Sequence, residues 1–253
     1  MSGYIGRVLG LPSQVTACLF DLDGVLTQTA LVHSAAWKQT FDEFLESWAE
    51  KHDQLFVPFD SGTDYHRYVD GRQRADGVRT FLASRAITLP EGDLDDTPDR
   101  ETVNGIGNRK NILVLQKIKE GAVQVYPGSV EYLKAAKAAG LRRAVVSASA
   151  NCKDVLEAAG IADLLEARVD GVVARELGMP GKPAPDTFLH GAKLLGLEPA
   201  QCAVFEDAQA GVAAGRAGEF GIVIGVDRVG QAEALREHGA DVVVTDLSEL
   251  LPQ

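Results

Sequence analysis

The sequence predicts an α/β protein: a doubly wound parallel sheet interrupted after its first strand by an α-helical insert. Three observations lead there. Short apolar runs at 15–19, 143–147, 202–205, 221–225 and 241–244 alternate with segments of helical periodicity, the pattern of a parallel sheet with helices on its faces. Residues 28–120, in contrast, carry helical spacing without a strand pattern. The first apolar run also ends in Asp21 and Asp23, an i, i+2 pair ahead of Gly24. In a strand such a pair projects to one side, and open α/β sheets place ligands at the carboxyl ends of their strands.

The elements follow in order. After the strand at 15–19, residues 28–50 read as a long amphipathic helix, with Leu31, Trp37, Phe41, Phe44, Leu45 and Trp48 at roughly helical spacing. Pro58 and Gly62 mark residues 51–64 as a loop. Val78, Phe81 and Leu82 predict a second helix that ends before Leu89-Pro90, and a third is expected over 107–119. A helix at 130–139 stops at Gly140, a strand follows at 143–147, and a short helix at 153–159 stops at Gly160. A helix at 186–195 leads to the strands at 202–205, 221–225 and 241–244. The expected division is a catalytic core of residues 14–30 and 120–253 and a helical cap of 31–119.

Composition narrows the function. A net charge of −11 argues against nucleic acid or an anionic membrane surface as partner, because both select basic faces. A small anionic substrate remains compatible, since a metal and a few local cations outweigh the global field at a site. No apolar run approaches the ~18 residues of a membrane span. The start of the chain lacks the continuous apolar stretch of a signal peptide. Cys18, Cys152 and Cys202 fit no metal spacing and read as small buried hydrophobes in a reduced compartment. The expected location is the cytoplasm and the expected state a monomer.

Four segments carry chemistry: Asp21 with Asp23, Ser147-Ala148-Ser149, Gly181-Lys182-Pro183, and Glu206-Asp207. The carboxyl ends of a parallel sheet share one edge, so these groups can converge there. Two acids, a hydroxyl, a lysine and two further acids suit phosphoryl transfer, with a carboxylate nucleophile, a proton donor, a hard-oxygen metal site and cations for phosphate oxygens. Plainer readings exist for each. Ser147 and Ser149 also suit helix capping, Lys182 a solvated loop, His33 a core or surface histidine, and Arg74, between Arg72 and Arg79, a solvated charged face.

With DLDGV at 21–25, SAS at 147–149, KPAPD at 182–186 and FEDAQAG at 205–211 in this order, the sequence resembles the haloacid dehalogenase superfamily, in particular its β-phosphoglucomutase-like branch. In the insert, Thr29 and His33 fall where that branch places a hinge threonine and a histidine. Gly71 and Arg74 resemble its cap specificity loop, and Asn108-Arg109-Lys110-Asn111 its cap lysine motif. Gln28 departs from the acid common at that position, and residues 51–66 look longer than the branch's compact cap.

The resemblance implies a fold and a set of roles. The fold is a Rossmann-like core of the haloacid dehalogenase type with a cap. Asp21 would become an aspartyl phosphate, and Asp23, beside Gly24, would be the general acid/base. Mg2+ would be held by Asp21, the Asp23 carbonyl, Asp207 and Glu206. Ser147, Ala148, Ser149, Asn151 and Lys182 would hold the transferring phosphate, and Arg74 the distal one. Lys110, or Arg109 beside it, and His33 would sense the sugar and cap closure. The implied reaction converts β-glucose 1-phosphate to glucose 6-phosphate through a bisphosphate. The alternative is a Mg2+-dependent phosphatase acting on a sugar phosphate or a phosphoglycolate-like substrate. Dehalogenation is disfavoured, because it needs neither Asp23 nor a metal.

Overall fold

The computed structural model describes residues 9–121 and 123–252, and the chain divides into two compact units after Gln28 and again before Val123. Strand β1 (Ala17–Phe20) belongs to the first unit. The second unit follows with helices α1 (Ala30–His52), α2 (Arg74–Ser84) and α3 (Val103–Lys119). The chain then returns to the first unit with α4 (Pro127–Ala138), β2 (Arg142–Val146), α5 (Cys152–Ala158), β3 (Ala167–Val169), α6 (Gly171–Glu176) and α7 (Asp186–Leu194). It ends with β4 (Cys202–Glu206), α8 (Gln209–Ala217), β5 (Ile222–Val226), α9 (Ala232–Glu237) and β6 (Val242–Val244). None of the described helices is long and apolar enough to cross a membrane.

The six strands form one parallel sheet in the order β3-β2-β1-β4-β5-β6. The predicted doubly wound α/β core is therefore present. Strand alternation divides the core by face. Ala17 and Leu19 of β1, Ala144 and Val146 of β2, and Cys202 and Val204 of β4 share one apolar cluster with Phe188 of α7 and Val212 of α8. Phe20 and Phe205 point the other way and stack at 4.6 Å, with Tyr132 of α4 against both. A sheet buried on both faces explains why its strands read as continuous apolar runs. From β1 the chain winds outward to β2 and β3 on one side, and β4, β5 and β6 continue on the other. The reversal of strand order lies between β1 and β4, the position where such sheets bind ligands.

The helical unit has a largely aromatic core. Trp37, Phe41 and Phe44 of α1 meet Phe59, Phe81 and Ile106, with ring centroids 4.2 Å apart for Phe41 and Phe81 and 4.9 Å for Trp37 and Phe41. Helix α3 starts at Val103 rather than 107, because the Thr102 hydroxyl caps it by accepting the Gly105 N–H at 3.0 Å. The predicted loop leads into a π-helical turn at Tyr65–Val69 that the sequence pattern does not signal. Strand β3 and helix α6 were also not expected, since three residues of strand leave no readable period.

Candidate active site

The sheet places Asp21 directly. Its N–H still donates to the Phe205 carbonyl at 2.9 Å, one residue beyond β1, and the side chain is buried. The chain then turns. Leu26 and Thr27 donate their N–H groups to the Leu22 carbonyl, and Gly24 donates to Thr27 at 2.7 Å. Gly24 sits at φ +91°, a backbone that side-chain-bearing residues avoid. A Cβ there would also lie 1.7 Å from Asp207 Oδ2. Asp23, in the same turn, is half-buried.

Glu206 ends β4 and is completely buried; its Oε2 accepts the Ala208 N–H at 2.9 Å. A Cβ at Gly211 of α8 would lie 1.7 Å from Glu206 Oε1, so only glycine leaves room for this carboxylate. Oxygens of Asp21, Glu206 and Asp207 all lie within 4.8 Å of one another. Among them sits Lys182, whose Nζ is 2.6 Å from Asp21 Oδ1, 2.5 Å from Glu206 Oε1 and 3.0 Å from the Val146 carbonyl. Lys182 is thus a buried ion-pair partner and not a solvated loop lysine.

The electrostatics follow from this packing. Burial disfavours charge on Lys182, but Asp21 and Glu206 outweigh it and hold its pKa above the ordinary lysine value. Burial pushes the Glu206 carboxyl up, Lys182 pulls it down, Asp21 pushes it up again, and the net direction is up. Three carboxyl groups thus face a single ammonium in a buried cluster. That donor set fits a hard divalent cation, which prefers oxygen ligands.

The end of β2 supplies polar backbone and hydroxyls. Ser147 donates its N–H to Val169 at 2.9 Å, while its Oγ accepts the Ser149 N–H at 3.1 Å and Ser149 Oγ accepts the Asn151 N–H at 3.2 Å. The two serines thus organise the turn that carries Ala148 and leads to Asn151, rather than capping α5 directly. Cys152 opens α5 with its thiol pushed well up by burial, and Asp23, Asp170 and Asp21 add to that. It is a buried packing residue, as are Cys18 and Cys202.

The helical unit has its own polar cluster. Buried Lys110 of α3 places Nζ 2.8 Å from His33 Nδ1 and 4.9 Å from the centroid of Trp37. Burial, with the Lys110 ammonium beside it, holds His33 well below the ordinary histidine range, and Asp70 acts the other way. Arg109 instead donates to the Pro98 carbonyl at 2.8 Å, so of these two neighbours Lys110 joins His33. Thr29 precedes α1 and is buried. Gly71 lies in the turn before α2, and Arg74 opens that helix. The Arg74 side chain crosses α3 at Gly107, where a Cβ would lie 3.2 Å from its Cγ.

Sequence reasoning did not single out Gly211, although it lies inside the quoted FEDAQAG stretch. A glycine in the first turn of a helix that follows an acid is a readable sign of close approach. Arg228 and Gln231, which contact the backbone of the acidic loops, gave no signal in the sequence.

The haloacid dehalogenase-like hydrolase family model matches residues 15–219. A beta-phosphoglucomutase of Mycobacterium bovis is 58% identical over 97% of this chain and 95% of its own. That of Bacillus subtilis is 30% identical over 92% and 91%. The crystal structure of beta-phosphoglucomutase from Clostridium difficile superposes with a TM-score of 0.72 at 27% identity, covering 93% of each chain. A family match across most of the chain, joined to a buried acid cluster at the sheet's switch point, places this chain in the haloacid dehalogenase-like hydrolase family, in its β-phosphoglucomutase-like branch.

Proposed function

We propose that this chain is a phosphomutase that interconverts β-glucose 1-phosphate and glucose 6-phosphate through an aspartyl-phosphate enzyme and a bisphosphate intermediate. The core site supports phosphoryl transfer. The observation that carries the sugar is the 58% identity, over nearly the full length of both chains, to a protein named beta-phosphoglucomutase.

In this reading an oxygen of Asp21 attacks phosphorus, and the bond from phosphorus to the sugar oxygen breaks. Asp23 gives its proton to the departing oxygen. In the second half-reaction it takes the proton from the sugar hydroxyl that attacks the aspartyl phosphate, so the acid is restored in each cycle. Lys182, Ser147, Ala148, Ser149 and Asn151 hold the transferring phosphate. Asp21, the Asp23 carbonyl, Glu206 and Asp207 would hold Mg2+, which supplies positive charge to the phosphoryl oxygens. Lys182 already supplies one such charge, 2.6 Å from the nucleophile. In the helical unit we assign Arg74 to the phosphate that is not transferred, and Lys110 with His33 to the sugar.

The test is incubation with Mg2+, β-glucose 1-phosphate and a trace of the bisphosphate, followed by separation of glucose 6-phosphate from free phosphate. Glucose 6-phosphate as the main product is expected, and Asp21→Asn should abolish it with the fold retained. Release of free phosphate without glucose 6-phosphate would establish the second reading, a phosphatase, which the family's own description as hydrolase favours.

A further inference from the structure

The sheet fixes two of the four acids and leaves the other two to something else. Asp21 is tied to β4 by its N–H, and Glu206 is the last paired residue of β4, opposite Gly225. Asp23 with Gly24, and Asp207, lie beyond those sheet contacts. The segment that leaves β5 meets both. Asp227 Oδ1 accepts the N–H groups of Val229, Gly230 and Gln231 at 3.2, 2.7 and 2.8 Å, and Oδ2 accepts that of Ala232 at 3.1 Å. One carboxylate thus locks a turn from which two side chains leave in set directions.

Arg228 Nε donates to the Gly24 carbonyl at 3.0 Å. Its guanidinium is held on every side. It lies 3.6 Å from the Tyr126 ring centroid and donates to the Thr245 carbonyl at 2.6 Å and to Asp246 Oδ2 at 3.0 Å. It also lies 3.4 Å from Ser129 Oγ, and that hydroxyl donates to the Val25 carbonyl at 2.7 Å. Gln231 Nε2 donates to the Asp207 carbonyl at 2.9 Å, while its Oε1 accepts from Gln209 at 3.1 Å. The Gly24–Val25 peptide, one residue past Asp23, and the Asp207–Ala208 peptide are therefore tied to one turn. Between them, the Asp207 carboxylate fills the space a Cβ at Gly24 would need.

We propose that Arg228 and Gln231 are positioning residues: the turn at 227–231 sets the spacing between the Asp23–Gly24 loop and Asp207. It thereby sets both the cation site and the aim of the acid/base. The kinetic part of this proposal rests on the phosphomutase reading; the metal-binding part does not. Arginine is required at 228, since a lysine offers one point charge and no planar fork to bridge a carbonyl, a carboxylate and an aromatic face.

The experiment compares the wild-type protein with Arg228→Lys and Gln231→Ala, reading Mg2+ affinity by calorimetry, kcat, KM and the thermal midpoint. Loss of groups that orient metal-ligating loops costs about tenfold or more in metal affinity or activity, so Arg228→Lys should raise the Mg2+ Kd and lower kcat each by about tenfold. Gln231→Ala should do the same to a smaller degree, and in both variants KM for the sugar phosphate should move less than kcat. A structural role alone would lower the thermal midpoint and leave Kd and kcat of the folded protein unchanged, and that result overturns the proposal. If Arg228→Lys does not fold, Gln231→Ala decides by the same criteria. If the wild-type protein releases free phosphate instead of glucose 6-phosphate, the calorimetric comparison still decides on the turn.

Discussion

Each unit buries one lysine from the predicted site, and the two are solvated by protein in different ways. Both lie over an aromatic ring, Lys182 at 4.8 Å from Phe188 and Lys110 at 4.9 Å from Trp37. Lys182 meets two carboxylates, and Lys110 meets an imidazole nitrogen. An ammonium can donate to His33 Nδ1 only while that nitrogen keeps its lone pair, so this contact requires a neutral histidine. The core therefore rests on opposite charges, and the helical unit on a proton kept off one ring. The second arrangement is a titratable joint.

The largest effect should come from breaking the core pair. Lys182→Met leaves Asp21 and Glu206 buried without their ammonium, a change that costs about 3–5 kcal/mol in comparable sites. Chemical denaturation should show that loss, and saturating Mg2+ should recover part of it by replacing the missing positive charge. Recovery equal in wild type and variant would show that the cation does not sit among these acids.

Next comes Gly211→Ala. Helix propensity alone favours alanine by roughly 1 kcal/mol. The Cβ would fall 1.7 Å from Glu206 Oε1, and overpacking of this type costs about 1–3 kcal/mol. A net loss of stability and a weaker Mg2+ affinity are expected. A more stable variant with wild-type affinity would mean that the carboxylate moves freely.

In the helical unit, Lys110→Ala should raise KM for the sugar phosphate by about tenfold, the scale of one charge-assisted contact. Arg109→Ala, which removes contacts to the Pro98 carbonyl and to Glu43 on the outer side of the helical unit, should leave steady-state kinetics near wild type. Equal effects of the two substitutions would remove the distinction between these neighbours.

The smallest effect concerns the titratable joint. The folded pKa of His33 is depressed below its value of 6.5, so the unfolded chain binds the proton first as pH falls. Its contribution is therefore fully present above about pH 6.5 and is lost as pH drops toward the folded pKa, with a slope of at most ~1.4 kcal/mol per pH unit. His33→Gln should flatten the stability profile in that window. An unchanged profile would place the acid sensitivity elsewhere.

The strands and their acids were legible because a parallel sheet needs continuous apolar runs, and the residues after those runs stand out against them. Helix α1 was legible from its aromatic spacing. Strand β3, with Ala167-Arg168-Val169, was too short to show a period. Lys182 could be placed at the sheet edge, but its burial depends on partners 161 and 24 residues away. Arg228 acts on a carbonyl 204 residues distant, and the stretch Asp227-Arg228-Val229-Gly230 reads only as a polar turn. Lys110 and Arg109 were indistinguishable in sequence, because neighbours on a helix diverge only once its buried face is known.

The stem of the insert has an evolutionary consequence. Gln28 donates its N–H to the Gln124 carbonyl at 2.8 Å and its side-chain amide to the Val125 carbonyl at 3.2 Å. Thr27 and Val125 form an antiparallel bridge. The points where the chain leaves and re-enters the sheet unit are thus zipped together by that unit's own backbone. To the core, everything from residue 29 to 122 is topologically one closed loop, and lengthening a closed loop costs little entropy. Such a stem works as a grafting port: inserts of different length can be exchanged across it while the sheet, its acids and their lysine keep their register. The chemistry can then stay constant while the part of the molecule assigned to the sugar diverges.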